Sequence, residues 1–183
     1  MYKTTLAAAV LLLTLTGCNK TDKTPAVPSP EAIAKAEAAR DELMKTLKGE
    51  LIAAIGEGGP ASAITVCKDR APAIAQEVAA NHNVRIGRTS FSLRNQANTP
   101  PAWVADLIKN RTESQNLTLA QDGTLHALYP VRTKPECLLC HGDPDSTAPA
   151  IKEQITALYP QDNAMGFALN DLRGYVWVEV DDQ

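Results

Sequence analysis

At 183 residues, 44% of them hydrophobic and 21% charged, the chain is long enough to bury one sizeable core and short for two. Its formal charge of −3, from 18 basic and 21 acidic residues, argues against nucleic acid or an anionic membrane surface as the partner. Four cysteines in so small a chain make the thiols the first thing to account for.

Lys3 precedes an apolar run over residues 6–15 that ends Leu15-Thr16-Gly17-Cys18, with small residues just before the cysteine. The run is too short and wrongly flanked for a retained transmembrane helix and resembles a bacterial lipoprotein signal. That resemblance implies cleavage before Cys18, which would carry the acyl chains. Asn19 in the next position, where an aspartate would imply inner-membrane retention, favours the periplasmic face of the outer membrane. Covalent lipid would anchor the protein without making it span the bilayer. Removing Lys3 with residues 1–17 leaves 17 basic against 21 acidic side chains, a formal −4. Residues 18–30 follow as a polar spacer with Pro25, Pro28 and Pro30, able to reach on the order of 40 Å when stretched.

A single domain is expected over residues 31–183. Ser29 is placed to cap a long helix over 31–56, stopped by Gly56, Gly58 and Gly59. A second helix is expected from about Pro60 to Ala80, with Ile64, Cys67, Ala71, Ile74 and Val78 on one stripe. Residues 84–90 read as a strand, 94–99 as a polar turn region, and 101–110 as a helix. A hairpin over 117–119 and 124–131 turns at Asp122-Gly123. Another helix suits 149–159. The chain closes with a hairpin of 166–169 and 175–180 around a turn at 170–174. Helices early and antiparallel strands late predict an α+β domain. The few large rings, among them Trp103, Trp177, Phe91 and Phe167, are candidates to wall a pocket.

Cys137-Leu138-Leu139-Cys140-His141 spells C-x-x-C-H, the attachment sequence of a c-type haem. Two intervening residues let one helical turn carry two thiols to the vinyl groups of one porphyrin and turn the histidine under the iron. Structural zinc needs a second ligand pair, and neither another C-x-x-C nor an H-x₃₋₅-H exists in this chain. A Cys137–Cys140 disulfide is the plainer alternative. One covalent haem c, with His141 as proximal ligand, is the expected cofactor.

Cys67 is then the one thiol without a role, and it is either a small core residue or an iron ligand. Met165 is the rival ligand, since His/Met pairs are usual in electron carriers, although a methionine beside Gly166 also reads as gap-filling. His82, between two asparagines, and His126, on the hairpin, read as surface histidines. Met44 reads as packing on a helix face. Arg88 and Arg94 are candidate partners of the haem propionates.

Four blocks in order resemble a family of bacterial c-type haem domains with a PAS-like fold, which includes a small cyanobacterial monohaem cytochrome. They are Ala63-Ile64-Thr65-Val66-Cys67; Arg85-Ile86-Gly87-Arg88-Thr89-Ser90 with Leu93-Arg94-Asn95; Tyr129-Pro130 with the attachment sequence and Gly142; and Tyr159-Pro160-Gln161-Asp162-Asn163-Ala164-Met165-Gly166 with Arg173-Gly174. The resemblance spans nearly the whole mature domain and implies His141 and Cys67 as the two axial ligands. It also implies a redox-sensing role, since relatives are often fused to signalling modules; here a signal would pass to a separate periplasmic partner. An electron shuttle is the neighbouring alternative. A haem enzyme such as a peroxidase would need distal acid–base groups, which no histidine or arginine spacing supplies.

Overall fold

The computed structural model describes residues 27–182, so the signal, Cys18 and most of the spacer lie outside the described residues. Helix α1 spans Pro30–Thr65 and begins where Ser29 Oγ accepts the Ala32 N–H (3.1 Å), with Pro30 in its first turn where a missing N–H costs nothing. Gly56 and Gly58 do not end it. The break comes at Gly59 (φ 79°), and Pro60 restarts the helix one residue later.

The expected second helix is divided. Past Thr65 the chain widens into a π turn, Val66–Arg70, before α2, Ala71–His82, which ends on left-handed Asn83 (φ 49°). Cys67 therefore sits on a π turn rather than on a regular helical stripe, a local geometry concentrated at functional positions.

Strand β1, Arg85–Thr89, is followed by a 3₁₀ turn, Ala102–Val104, and the short α3, Ala105–Lys109. Then come β2, Asn116–Leu119, and β3, Thr124–Arg132, joined by a turn in which Gly123 takes φ 83°. Helix α4, Leu138–His141, α5, Pro149–Leu158, and β4, Leu172–Asp181, complete the order. All neighbours in the sheet β1-β4-β3-β2 are antiparallel. The architecture is α+β, as the element order predicts.

The closing hairpin does not form. Strand β4 is central, paired with β1 on one side and β3 on the other, and it already includes Leu172-Arg173-Gly174, expected as turn. With both edges of β4 taken, residues 166–169 have no strand to join, and Gly166 (φ 82°) leaves extended geometry. Side chains alternate along β4 with period two. Val176, Val178 and Val180 meet Ala32, Ala36, Ala39 and Leu43 of α1, while Tyr175 and Trp177 face Val104, Ile108 and Leu128 beneath the 3₁₀ turn and α3. Each fully buried aliphatic side chain contributes about 1.5–3 kcal/mol.

Candidate functional site

The attachment sequence folds as one turn. A 3₁₀ segment, Pro135–Cys137, runs straight into α4, and Cys137, Cys140 and His141 all line one cavity of about 450 Å³. That volume lies in the range of small-molecule sites. Gly142 closes the turn with an N–H donated to the Leu138 carbonyl (3.0 Å), and a Cβ there would lie 2.5 Å from that oxygen. Residues 166–169, which the alternation predicts as a strand, brace this turn instead. Gly166 N–H donates to Gly142 O (2.8 Å) and Phe167 N–H to His141 O (2.9 Å), pinning it from outside.

Cys67 enters the same cavity from the π turn, and Met44, Leu47, Leu51, Ile55 and Ile64 supply apolar wall from α1. Cys67, Cys137 and Cys140 are all free thiols. No group of three or more His, Cys, Asp or Glu among the described residues is arranged to hold a metal ion. Burial pushes the Cys67 thiol up, against the pull of the Arg88, Arg94 and Arg173 guanidiniums. Cys140 is likewise raised by burial.

His141 is held neutral. Burial first, then the nearby Arg173 and Arg94 charges, carries its pKa well below the ordinary value. Its Nδ1–H donates to the Ala164 carbonyl (2.6 Å). Arg173 Nε lies 3.3 Å from the same nitrogen, a contact of two donors once the shorter bond has fixed the tautomer. Nε2 is thereby the nitrogen free to ligate, with its orientation set by a carbonyl in the manner of metal-bound histidines. Phe167 packs edge-on against the ring at 6.4 Å.

Three arginines converge here: Arg88 and Arg94, six positions apart, and Arg173 from β4. Arg94 is committed to structure. It grips Asp162 through two bonds (Nε to Oδ1 3.0 Å, Nη2 to Oδ2 3.2 Å) and donates to the carbonyls of Cys140 (2.7 Å) and Ala164 (3.3 Å). Arg173 donates to Ser90 Oγ (3.0 Å) and Ser92 O (3.1 Å), and burial brings its pKa down to about 10. Arg88 differs from both. No hydrogen bond or ion pair engages its side chain among the described residues, and burial lowers its pKa. An unpartnered, half-buried cation lining the cavity suits an anionic group absent from the polypeptide.

Residues 27–180 match the family model described as Tll0287-like: Tll0287. The chain belongs to the Tll0287-like family. The crystal structure of the cyanobacterial heme-protein Tll0287 aligns with 85% of this chain and 98% of that one, at 23% identity and a TM-score of 0.63. At that identity the likeness establishes the shared fold. No curated protein matches the chain.

Within this Tll0287-like fold the other candidates separate. Met165 does not line the cavity; it packs against Ile64, Ile151, Ile155 and Tyr159. His82 pairs with Glu42 (2.7 Å), and His126 stacks on Trp103 with centroids 4.5 Å apart. Met44 faces the cavity while also packing on the core. Of the large rings, Tyr159 and Tyr175 reach the cavity, whereas Trp103, Phe91 and Trp177 fill the opposite face of the sheet. The spacing of Asp162, Gly142 and Arg173 gives them no role in the sequence, although each lies in or beside a block that carries the family resemblance.

Proposed function

We propose that this Tll0287-like protein is a single-haem c-type cytochrome, lipid-tethered at the periplasmic face of the outer membrane, that senses redox state or relays electrons. Cys137 and Cys140 would form the thioethers, and His141 Nε2 and the Cys67 thiolate would hold the iron. The observation that carries this reading is the convergence of Cys67, from a separate element 70 residues before the attachment sequence, on the cavity lined by Cys137, Cys140 and His141. The haem protein character of the cyanobacterial relative agrees with it.

Bound haem supplies one-electron chemistry; the residues decide its potential and its state. Arg88, whose side chain has no partner among the described residues, is the better propionate partner, and Arg94 shapes the site by holding Cys140 and Ala164. A thiolate neutralises ferric porphyrin and favours it, so a hundredfold preference for the ferric state lowers the potential by about 120 mV. Burial also favours the protonated Cys67 thiol, so Cys67 would hold the iron less firmly once protonated, and its release would free the π turn to move. Met165, outside the cavity, would have to cross its own apolar cluster to ligate.

Optical and EPR spectra of wild type and Cys67→Ala in both oxidation states test this. Loss of the low-spin ferric signals in the variant, with a potential raised by roughly 100 mV, is expected. Identical spectra would remove Cys67 from the iron. Intact mass and a pyridine haemochrome assay of the exported protein test the thioethers and the lipid on Cys18.

A further inference from the structure

The rim of the cavity carries a charge pattern that the acidic composition conceals. Lys45 and Lys48 of α1, Arg132 at the end of β3 and Lys134 just beyond it all line the cavity, against Glu136 as the acidic lining residue. Lys48 pairs with Glu136 (2.7 Å) and Arg132 with Glu113 (2.8 Å). Lys45 and Lys134 are exposed and have no ion pair among the described residues. The rim therefore stays positive even with both of its ion pairs formed. Next to it, Leu139 between the two cysteines is 43% exposed. An apolar contact flanked by charge is the anatomy of a transient interface.

We propose that this rim is the docking surface for an acidic one-electron carrier protein, whose carboxylates meet Lys45 and Lys134 while an apolar residue meets Leu139. The proposal rests on the haem reading above. One electron crosses the interface, so one protein is oxidised as the other is reduced, and no bond forms or breaks. A local positive field on a protein of net negative charge orients the encounter, because approach to the cavity mouth is attractive while the net charge repels.

The sign of a salt effect tests it. Reduced full-length holoprotein in neutral detergent is mixed with ferricyanide, a trianion, or tris(phenanthroline)cobalt(III), a trication, from about 10 to about 300 mM ionic strength. The rim predicts a ferricyanide rate that falls at least about threefold with salt and a cobalt rate that rises. Net charge alone demands the opposite for both, and observing that opposite overturns the proposal. Lys45→Glu with Lys134→Glu is expected to invert the slopes at an unchanged Soret spectrum, and Lys45→Gln with Lys134→Gln to flatten them. Slopes unmoved by either pair would also overturn it. A protein without Soret absorption would instead defeat the haem reading itself, and the docking proposal with it.

Discussion

The first half of α1 sets Ala32, Ala36, Ala39 and Leu43 against the valines of β4, each at most 4% exposed, whereas the second half lends Leu47, Leu51 and Ile55 to the wall of a cavity. One helix thus serves both as a core element and as the side of a cofactor cleft. Small alanines let the first half approach the sheet closely, and larger aliphatics hold open space in the second. Polar chemistry divides the same way: the sheet core is apolar, while the cleft gathers three guanidiniums and a neutral imidazole. Stability should therefore reside at the closed end, and tolerance with function at the open one.

The exception sharpens that division, because one pair at the open end is structural. Arg94→Ala would leave Asp162 buried without its cation and strand two carbonyls, at a cost of about 4 kcal/mol in urea unfolding followed by circular dichroism. A loss under about 1 kcal/mol would mean that Asp162 finds other partners. The comparison itself is tested by a pair on one helix. Leu43→Ala should cost about 3 kcal/mol, since Leu43 is 0% exposed in a packed cluster, and Leu51→Ala under about 1 kcal/mol. Equal costs would refute the contrast.

How far the chain could be read in advance follows the same line. The cap at Ser29, the strand at 85–89, the hairpin and the attachment turn were legible because each depends on residues a few positions apart. Arg94 and Asp162 stand 68 positions apart, so no local pattern links them. The π turn at Cys67 inserts one residue into a helix whose apolar spacing is otherwise regular. The failed closing hairpin shows the limit from another side. Alternation at 166–169 was real, but β4 had already given both its edges to β1 and β3.

Alkaline titration probes the closed end against solvent. Burial raises Tyr129 to about 12, against an ordinary value of 10.0, and its hydroxyl has no hydrogen-bond partner among the described residues. The unfolded chain releases this proton first, so the contribution is complete below pH 10 and disappears as pH rises through about 12. Discounted for solvent screening, that is about 1–2 kcal/mol. Tyr129→Phe should cost little at pH 7 and flatten the loss of stability above pH 10 in unfolding measured at successive pH values. An unchanged slope would assign the alkaline sensitivity to Tyr159, which burial also raises to about 12 but which faces the cavity.

The smallest effect is expected where the chain enters the domain. Ser29 accepts from Ala32 and donates its own N–H to Asp182 Oδ2 (2.7 Å), with its hydroxyl on Oδ1, tying the start of α1 to the end of β4. Ser29→Ala should cost about 1 kcal/mol, the usual worth of a cap. These bonds to Ser29 hold the Asp182 carboxyl below its ordinary value, so its share is present at neutral pH and is lost as pH falls through that lowered pKa. Part of the Ser29→Ala deficit should therefore vanish in acid, leaving only the cap. Because Ser29 lies at the opposite end of α1 from the cleft, the visible spectrum of the haem-loaded protein should not move. A shifted spectrum would mean that the closed end and the cleft are mechanically coupled, and the division of labour along α1 would have to be abandoned.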